Sequence, residues 1–466
     1  MKGYRFLYLL LFILFGIIII AGDSGCAQIG AISGGPRDSL PPVLVSAAPK
    51  LLTTNFTGKK ITLTFDEYIA DLQDVQTNLL VSPYPKVNPE ITNKLKTLTI
   101  KLKDTLLPNT TYSIKFGNII KDANENNVYK NFIYVFSTGT TIDSLSLSGR
   151  IELAETGKTD STIVVMLYRN AVDSSVEKLR PNYMAFVDSS GHFTFSNLPP
   201  GHFNIYALKD GDGSKTYNSK SELFAFADKP ITIGSNNDSI QLYAYAEEKT
   251  EKNGPTLPAT KPKNAAAKKF KYTASAAAQR QDLRQDLVLE YNSAIKTFDS
   301  TKIILTDTNY APISPVTYLL DSNKIILKTK WKEDEDYRLI VNRTAVRDSL
   351  DSTVAKTDTI RFKTKKEGDY GNLVLRFSNV DLNKHPVLQF VQQDVIKESF
   401  PLTTKEWHYK LFPPGDYELR ILYDDNNNGK WDPGSYSKKK QPERVIALPK
   451  KISVKENWEN ESDIIL

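Results

Sequence analysis

One cysteine, four histidines and three methionines in 466 residues leave little from which to build a reaction centre. A single cysteine closes no disulfide within the chain, and a structural metal cluster normally draws four Cys or His ligands. His192, His202, His385 and His408 have neither HExxH nor HxH spacing, and no GxSxG or Walker loop occurs. The basic excess is small, 60 Lys plus Arg against 54 Asp plus Glu, with no long basic run or RNA-binding signature, which argues against nucleic acid. A sustained helical period is missing between positions 41 and 140. These absences predict a protein that is not an enzyme and has no catalytic residues.

Long hydrophobic runs are also scarce, and the one present stands at the N-terminus. Lys2 and Arg5 precede the apolar run Phe6–Ala21, and small residues lead to Gly25-Cys26. A positive n-region, an apolar h-region and a small residue before the cut describe a secretory signal. The stretch resembles a bacterial lipoprotein signal, which implies removal of residues 1–25 and lipidation of Cys26. An uncleaved anchor helix of about 17 apolar residues is the other reading. Either way the remaining chain is expected outside the cytoplasm, held to a membrane through a tether over residues 26–40.

What the chain has in quantity is aromatic and β-branched alternation, with 23 Tyr and 21 Phe. Ile61/Leu63/Phe65, Leu98/Ile100/Leu102, Tyr112/Ile114/Phe116 and Phe132/Tyr134/Phe136 fall on every second residue, the signature of half-buried strands. The punctuation predicts sandwiches over 41–140 and 141–245, a Lys-, Ala- and Pro-rich linker over 246–281, and further sandwiches over 282–366 and 367–466. The second pair repeats the first. Phe193, Phe195, Leu198, Gly201, Phe203, Ile205 and Asp210 match Trp407, Tyr409, Phe412, Gly415, Tyr417, Leu419 and Asp424 at one constant offset.

The stretches GGPRDSLPPVLVSAAP, KKITLTFDEYI, YSIKFGN and YVFSTG resemble lipoproteins of Bacteroidota that carry a bacterial, S-layer type Ig-like domain. The PPG-bearing units resemble the carboxypeptidase-regulatory or transthyretin-like sandwich. Together they imply an all-β chain of tandem β-sandwiches, Ig-like plus transthyretin-like with the pair duplicated, after an N-terminal signal helix. The resemblance offers no catalytic residues. It implies architecture and location, and the leading expectation is a non-enzymatic, lipid-anchored scaffold or binding subunit of an outer-membrane protein complex, on the periplasmic or the cell-surface face. The other expectation is a surface adhesion module binding carbohydrate or calcium through Trp407, Trp431 and the loop at Asp424.

That loop, LYDDNNNGKWDPG over 422–434, places Asp424, Asn426, Asn428, Lys430 and Asp432 at positions 1, 3, 5, 7 and 9 of an EF-type loop, with Gly429 at the turn. Position 12 is Ser435, so any Ca²⁺ site would be weak; the other reading is a polar turn built on Asx chemistry. Its first-copy counterpart, DGDGSKTYN from Asp210, has Lys215 in place of the glycine. Asp66-Glu67 points its two carboxylates to opposite faces of a strand end, which disfavours a shared acid/base role. Asp38-Ser39-Leu40, Asp104-Thr105-Leu106, Asp143-Ser144-Leu145 and Asp348-Ser349-Leu350 resemble the O-glycosylation signal of exported Bacteroidota proteins, and ordinary turn residues are the alternative.

Overall fold

The computed structural model describes residues 37–169, 172, 174–234, 239–249, 269–276 and 280–466. Cys26, the signal segment and most of the tether lie outside the described residues. The described chain is nearly all β, in two compact units, one running to Val81 and from Pro85 to Ile142, the other comprising Ser82–Tyr84 and Asp143–Leu466.

In the first unit a four-stranded sheet has the order Leu44–Ala48, Lys60–Phe65, Thr97–Lys101, Glu90–Lys94, antiparallel throughout. A three-stranded sheet of Leu80–Ser82, Thr111–Lys115 and Ile133–Ser137 faces the same core. Ile61, Leu63 and Phe65 from one sheet meet Tyr112, Ile114 and Phe136 from the other, each buried, because every second side chain of a strand falls on one face.

Among the described residues the second unit holds three large hydrophobic cores, the second to fourth in chain order, around Leu147, Leu289 and Leu375, and a small cluster of Val387, Leu422 and Val445. Residues 272–363 repeat the sheet order of the first unit: Tyr272–Ala274, Leu287–Tyr291, Lys324–Lys328, Thr317–Asp321 in one sheet and Ile303–Thr306, Asp336–Val341, Asp358–Lys363 in the other. The expected linker is too long at its C-terminal end. Phe270 and Ala276 are buried in this core and Tyr272–Ala274 pairs with Leu287–Tyr291, so a lysine-rich stretch supplies an edge strand through its few apolar residues.

The other two cores share one topology. In each, a central strand (Leu145–Leu153 or Gly371–Ser378) lies between an antiparallel neighbour (His192–Leu198 or Glu406–Phe412) and a parallel one (Ile240–Ala244 or Glu459–Ile465). The opposite sheets run Tyr183–Phe186, Val164–Tyr168, Gly201–Leu208, Phe224–Phe226 and Val395–Pro401, Pro386–Gln392, Gly415–Tyr423, Arg444–Val454. The duplication extends to single dihedral angles. Asn197 and Leu411 both take φ of 56°, and Gly201 and Gly415 take 150° and 146°. A non-glycine residue at positive φ costs about 1 kcal/mol, so its recurrence at matched positions marks a bend that both copies require.

Candidate functional site

The matched loops that follow Gly201–Leu208 and Gly415–Tyr423 hold the residues singled out from the sequence. In the second copy Asp424 is fully buried, and its carboxylate accepts from the backbone N–H of Asn428 at 3.2 Å and of Gly429 at 2.5 Å. Asn426 Oδ1 accepts from Asn428 N at 3.0 Å and Asn428 Oδ1 from Lys430 N at 2.7 Å. The amide groups of Asn426 and Asn428 donate to the Asp432 carboxylate. Lys430 is exposed. The side-chain oxygens of Asp424, Asn426 and Asn428 are thus turned onto backbone N–H groups, which is Asx-turn chemistry, and that of Asp432 onto side-chain amides.

The first copy keeps the turn without its glycine. Lys215 adopts φ of 59° where Gly429 has 77°, and its ammonium pairs with the Asp210 carboxylate, offsetting the left-handed strain. The bond across the loop persists with its partners exchanged. Asn218 donates to Asp212 at 2.7 Å in one copy, while Asn426 donates to Asp432 in the other, so the amide moves from position 9 to position 3. Among the described residues one set of three carboxylates brings its oxygens within 4.8 Å: Asp210, Asp212 and Glu222, in the first copy. Asp424, Asp432 and Glu443 do not gather so closely. A divalent ion in the first loop would have to displace Lys215 from Asp210 and Asn218 from Asp212; the hydrogen bond from Asn218 also holds Asp212 well below the usual carboxylate range.

Sequence reasoning missed Glu443. Only 2% exposed, it accepts from Asp425 N at 3.0 Å and Asp432 N at 2.9 Å, closing the second loop, while its backbone carbonyl accepts from Trp431 Nε1 at 2.8 Å. Burial, with Asp424 and Asp432 adding, pushes its carboxyl up. The isolated QPE after four mostly lysine positions carries no periodicity, and nothing in the chain order points to its closing role.

The closed loop delivers residues 434–445 onto the first copy. Tyr436, 4% exposed, enters an aromatic nest of Tyr206, Tyr217, Phe224 and Phe226, with ring centroids 5.9, 6.2, 5.0 and 5.3 Å away and all four contacts edge-on. Its hydroxyl donates to Tyr206 Oη at 3.1 Å, its N–H donates to Glu247 at 2.8 Å, and Lys439 Nζ stands 3.9 Å from its ring centroid. Gln441 donates to the Phe226 carbonyl and to Asp228, and Val445 N donates to the Ala154 carbonyl at 2.9 Å. Gly157, at φ of 66°, lets the chains meet; a Cβ there would lie 2.5 Å from Ala447 N. Lys158 reaches Asp394 and Glu418, holding Asp394 below the ordinary carboxylate value. The sandwich over residues 272–363 joins the fourth core through Arg284, which contacts Tyr409 at 3.1 Å and Glu398 at 3.0 Å.

Trp407 and Trp431, expected as an exposed binding surface, are half-buried, each with one side packed. Trp407 lies against Phe390 and Phe400, and Trp431 against Val387, Leu422 and Val445, because each sits on the inward side of its strand or loop. At Asp66-Glu67, Asp66 is exposed and accepts from Val43 N, and Glu67 is held above its ordinary value first by burial and then by nearby carboxylates. Ser39, Thr105, Ser144 and Ser349 are all exposed.

Residues 38–138 match the family of bacterial Ig-like domains. The first unit therefore contains an Ig-like domain. No curated protein matches the chain. Among solved structures, the MG0-NIE-MG1 region of alpha-2-macroglobulin from Escherichia coli is 14% identical with a TM-score of 0.21, over 39% of this chain and 72% of that one. The Bacillus anthracis TIE protein is 11% identical with a TM-score of 0.17, over 93% and 75%. BcpA, the major pilin subunit of Bacillus cereus, is 10% identical with a TM-score of 0.17, over 69% and 99%. Superpositions this loose carry no argument about what the chain does.

Proposed function

We propose that the chain is a non-enzymatic lipoprotein, anchored at Cys26 to the outer membrane, whose sandwiches form an extracytoplasmic scaffold for another envelope protein. The observation that carries the reading is the insertion of Tyr436 into the aromatic nest of the first copy. The loop most suggestive of ligand chemistry turns its polar groups onto its own backbone, and residues 434–445 beyond it fasten one repeat to the other. A fastened tandem suits a spacer that presents surfaces at fixed separation, since ordering is complete before a partner arrives. The Ig-like domain in the first unit and the signal-like residues before Cys26 agree with an envelope location. Lipoprotein maturation attaches more than one acyl chain, which stable anchoring needs.

Replacing Cys26 with Ser tests the anchor. Wild type should sediment with membranes and incorporate a fatty-acid label, and the variant should do neither. Cross-linking on intact cells, with subsequent purification of the lipidated protein, should return one reproducible outer-membrane companion. Turnover of any substrate by the pure protein, or a wild type without lipid, would sink the proposal.

A further inference from the structure

Of the four tryptophans, Trp458 alone leaves its indole in solvent, 61% exposed, while Trp331 is buried and Trp407 and Trp431 are packed. The turn that carries it is not loose. The Trp458 carbonyl accepts from Asn372 N at 2.8 Å and from Asn460 Nδ2 at 3.1 Å, and Asn460 Oδ1 accepts from Lys455 N at 3.2 Å. Asn457, at φ of 55°, donates its N–H to the Tyr370 carbonyl at 2.7 Å. A large apolar side chain is thus held outward by a turn whose backbone is fixed, the arrangement that reduces ordering cost when a ligand arrives.

Beside the indole opens a groove of 260 Å³ whose walls include Ser453, Lys455, Asn460 and Ser462. Lys455 Nζ stands 5.0 Å from the ring centroid. We infer that Trp458 and this groove bind a neutral saccharide chain. The C–H face of a pyranose is apolar and slightly positive, so it stacks on the negative face of an indole, while its hydroxyls exchange hydrogen bonds with the groove's hydroxyl and ammonium groups. Charge selects against the other common use of an exposed tryptophan. Around the turn and groove, Lys451 and Lys455 stand with Glu456, Glu459 and Glu461, so the site has no cationic excess for an anionic lipid surface. The exposed Ile465 lies at the far end of the Glu459–Ile465 strand, leaving one aromatic rather than an apolar patch. The inference goes beyond the scaffold reading and stands whether or not Cys26 is lipidated.

Calorimetric titration of the purified full chain with cellohexaose, chitohexaose and mannohexaose tests it, with tryptophan emission recorded in parallel. At least one should bind at millimolar concentration or below and shift the emission to the blue. Trp458→Ala should weaken binding about tenfold or more, as expected for the central aromatic of a site, with an unchanged melting curve. Trp458→Phe should retain most of the affinity and lose the emission shift. Failure of all three sugars to bind, equal binding by Trp458→Ala, or Trp458-dependent recruitment to phosphatidylglycerol vesicles in place of sugar binding would each overturn the assignment.

Discussion

Replacing Tyr436 with Ala removes the largest side chain that one copy inserts into the other while leaving every strand of both cores intact. At 4% exposure the ring buries nearly all of its surface against Tyr206, Tyr217, Phe224 and Phe226. An aromatic-to-alanine change at such a site costs about 3–5 kcal/mol. Because the ring packs on a neighbouring sandwich, that cost falls on docking rather than on either fold. Tyr436→Phe keeps the packing and loses the hydroxyl bond to Tyr206, for about 1 kcal/mol. Scanning calorimetry of the full chain should show the second and fourth cores melting together in the wild type. In Tyr436→Ala the transition should split, with one component lowered by roughly 5–10 °C. Limited proteolysis should then cut faster across residues 434–445 than in the wild type, where Tyr436 and Val445 are buried. Phe390→Ala serves as a control, since it empties the fourth core itself and should lower that core without separating the pair. An unsplit transition within about 1 °C of wild type in Tyr436→Ala would refute the idea that this ring fastens the repeats.

The same geometry gives three further outcomes. A Ca²⁺ site with a dissociation constant of about 10⁻⁴–10⁻³ M would stabilise the chain by about 1–2 kcal/mol at 5 mM Ca²⁺; the loops as built should give no melting shift, and a reproducible rise of several degrees would show that Lys215 and the asparagines yield to the ion. Glu443 has its folded pKa raised, so its stabilising contribution is full below the ordinary carboxylate value of about 4.3 and lost as pH rises through the raised value. Wild type should therefore gain on Glu443→Gln as pH is lowered from 7 to 4 in urea melts, and a difference flat in pH would count against its burial. Phe270→Ala should cost about 3–5 kcal/mol of the stability of the core it enters, where a linker residue would cost nothing measurable by the same melts.

The strand interiors were legible because alternation is a local property: Ile61, Leu63 and Phe65 point inward whatever lies opposite. The duplication was legible for a related reason, since matched core positions such as Phe203 and Tyr417 keep one offset along the chain. Composition misled at Phe270, where flanking lysines drew attention to solvent although two or three apolar residues suffice for an edge strand. Glu443 was invisible because its two acceptor bonds reach backward along the chain to backbone groups that carry no residue identity. Tyr436 looked like one more tyrosine among lysines.

By itself, then, the sequence determined which side chains would be inward, that the fold would be pleated sheet throughout, and that one pair of units is written twice. It also determined that Cys/His metal clusters and familiar nucleophile motifs are missing. Which aromatics meet solvent was decided only by tertiary structure, because exposure depends on what the rest of the chain lays over a side chain. Trp431 is half-buried, Trp458 is exposed, and Tyr436 is buried by a sandwich more than two hundred residues earlier in the chain. Those long-range placements fasten one repeat to the other through the residues just beyond the loop at Asp424.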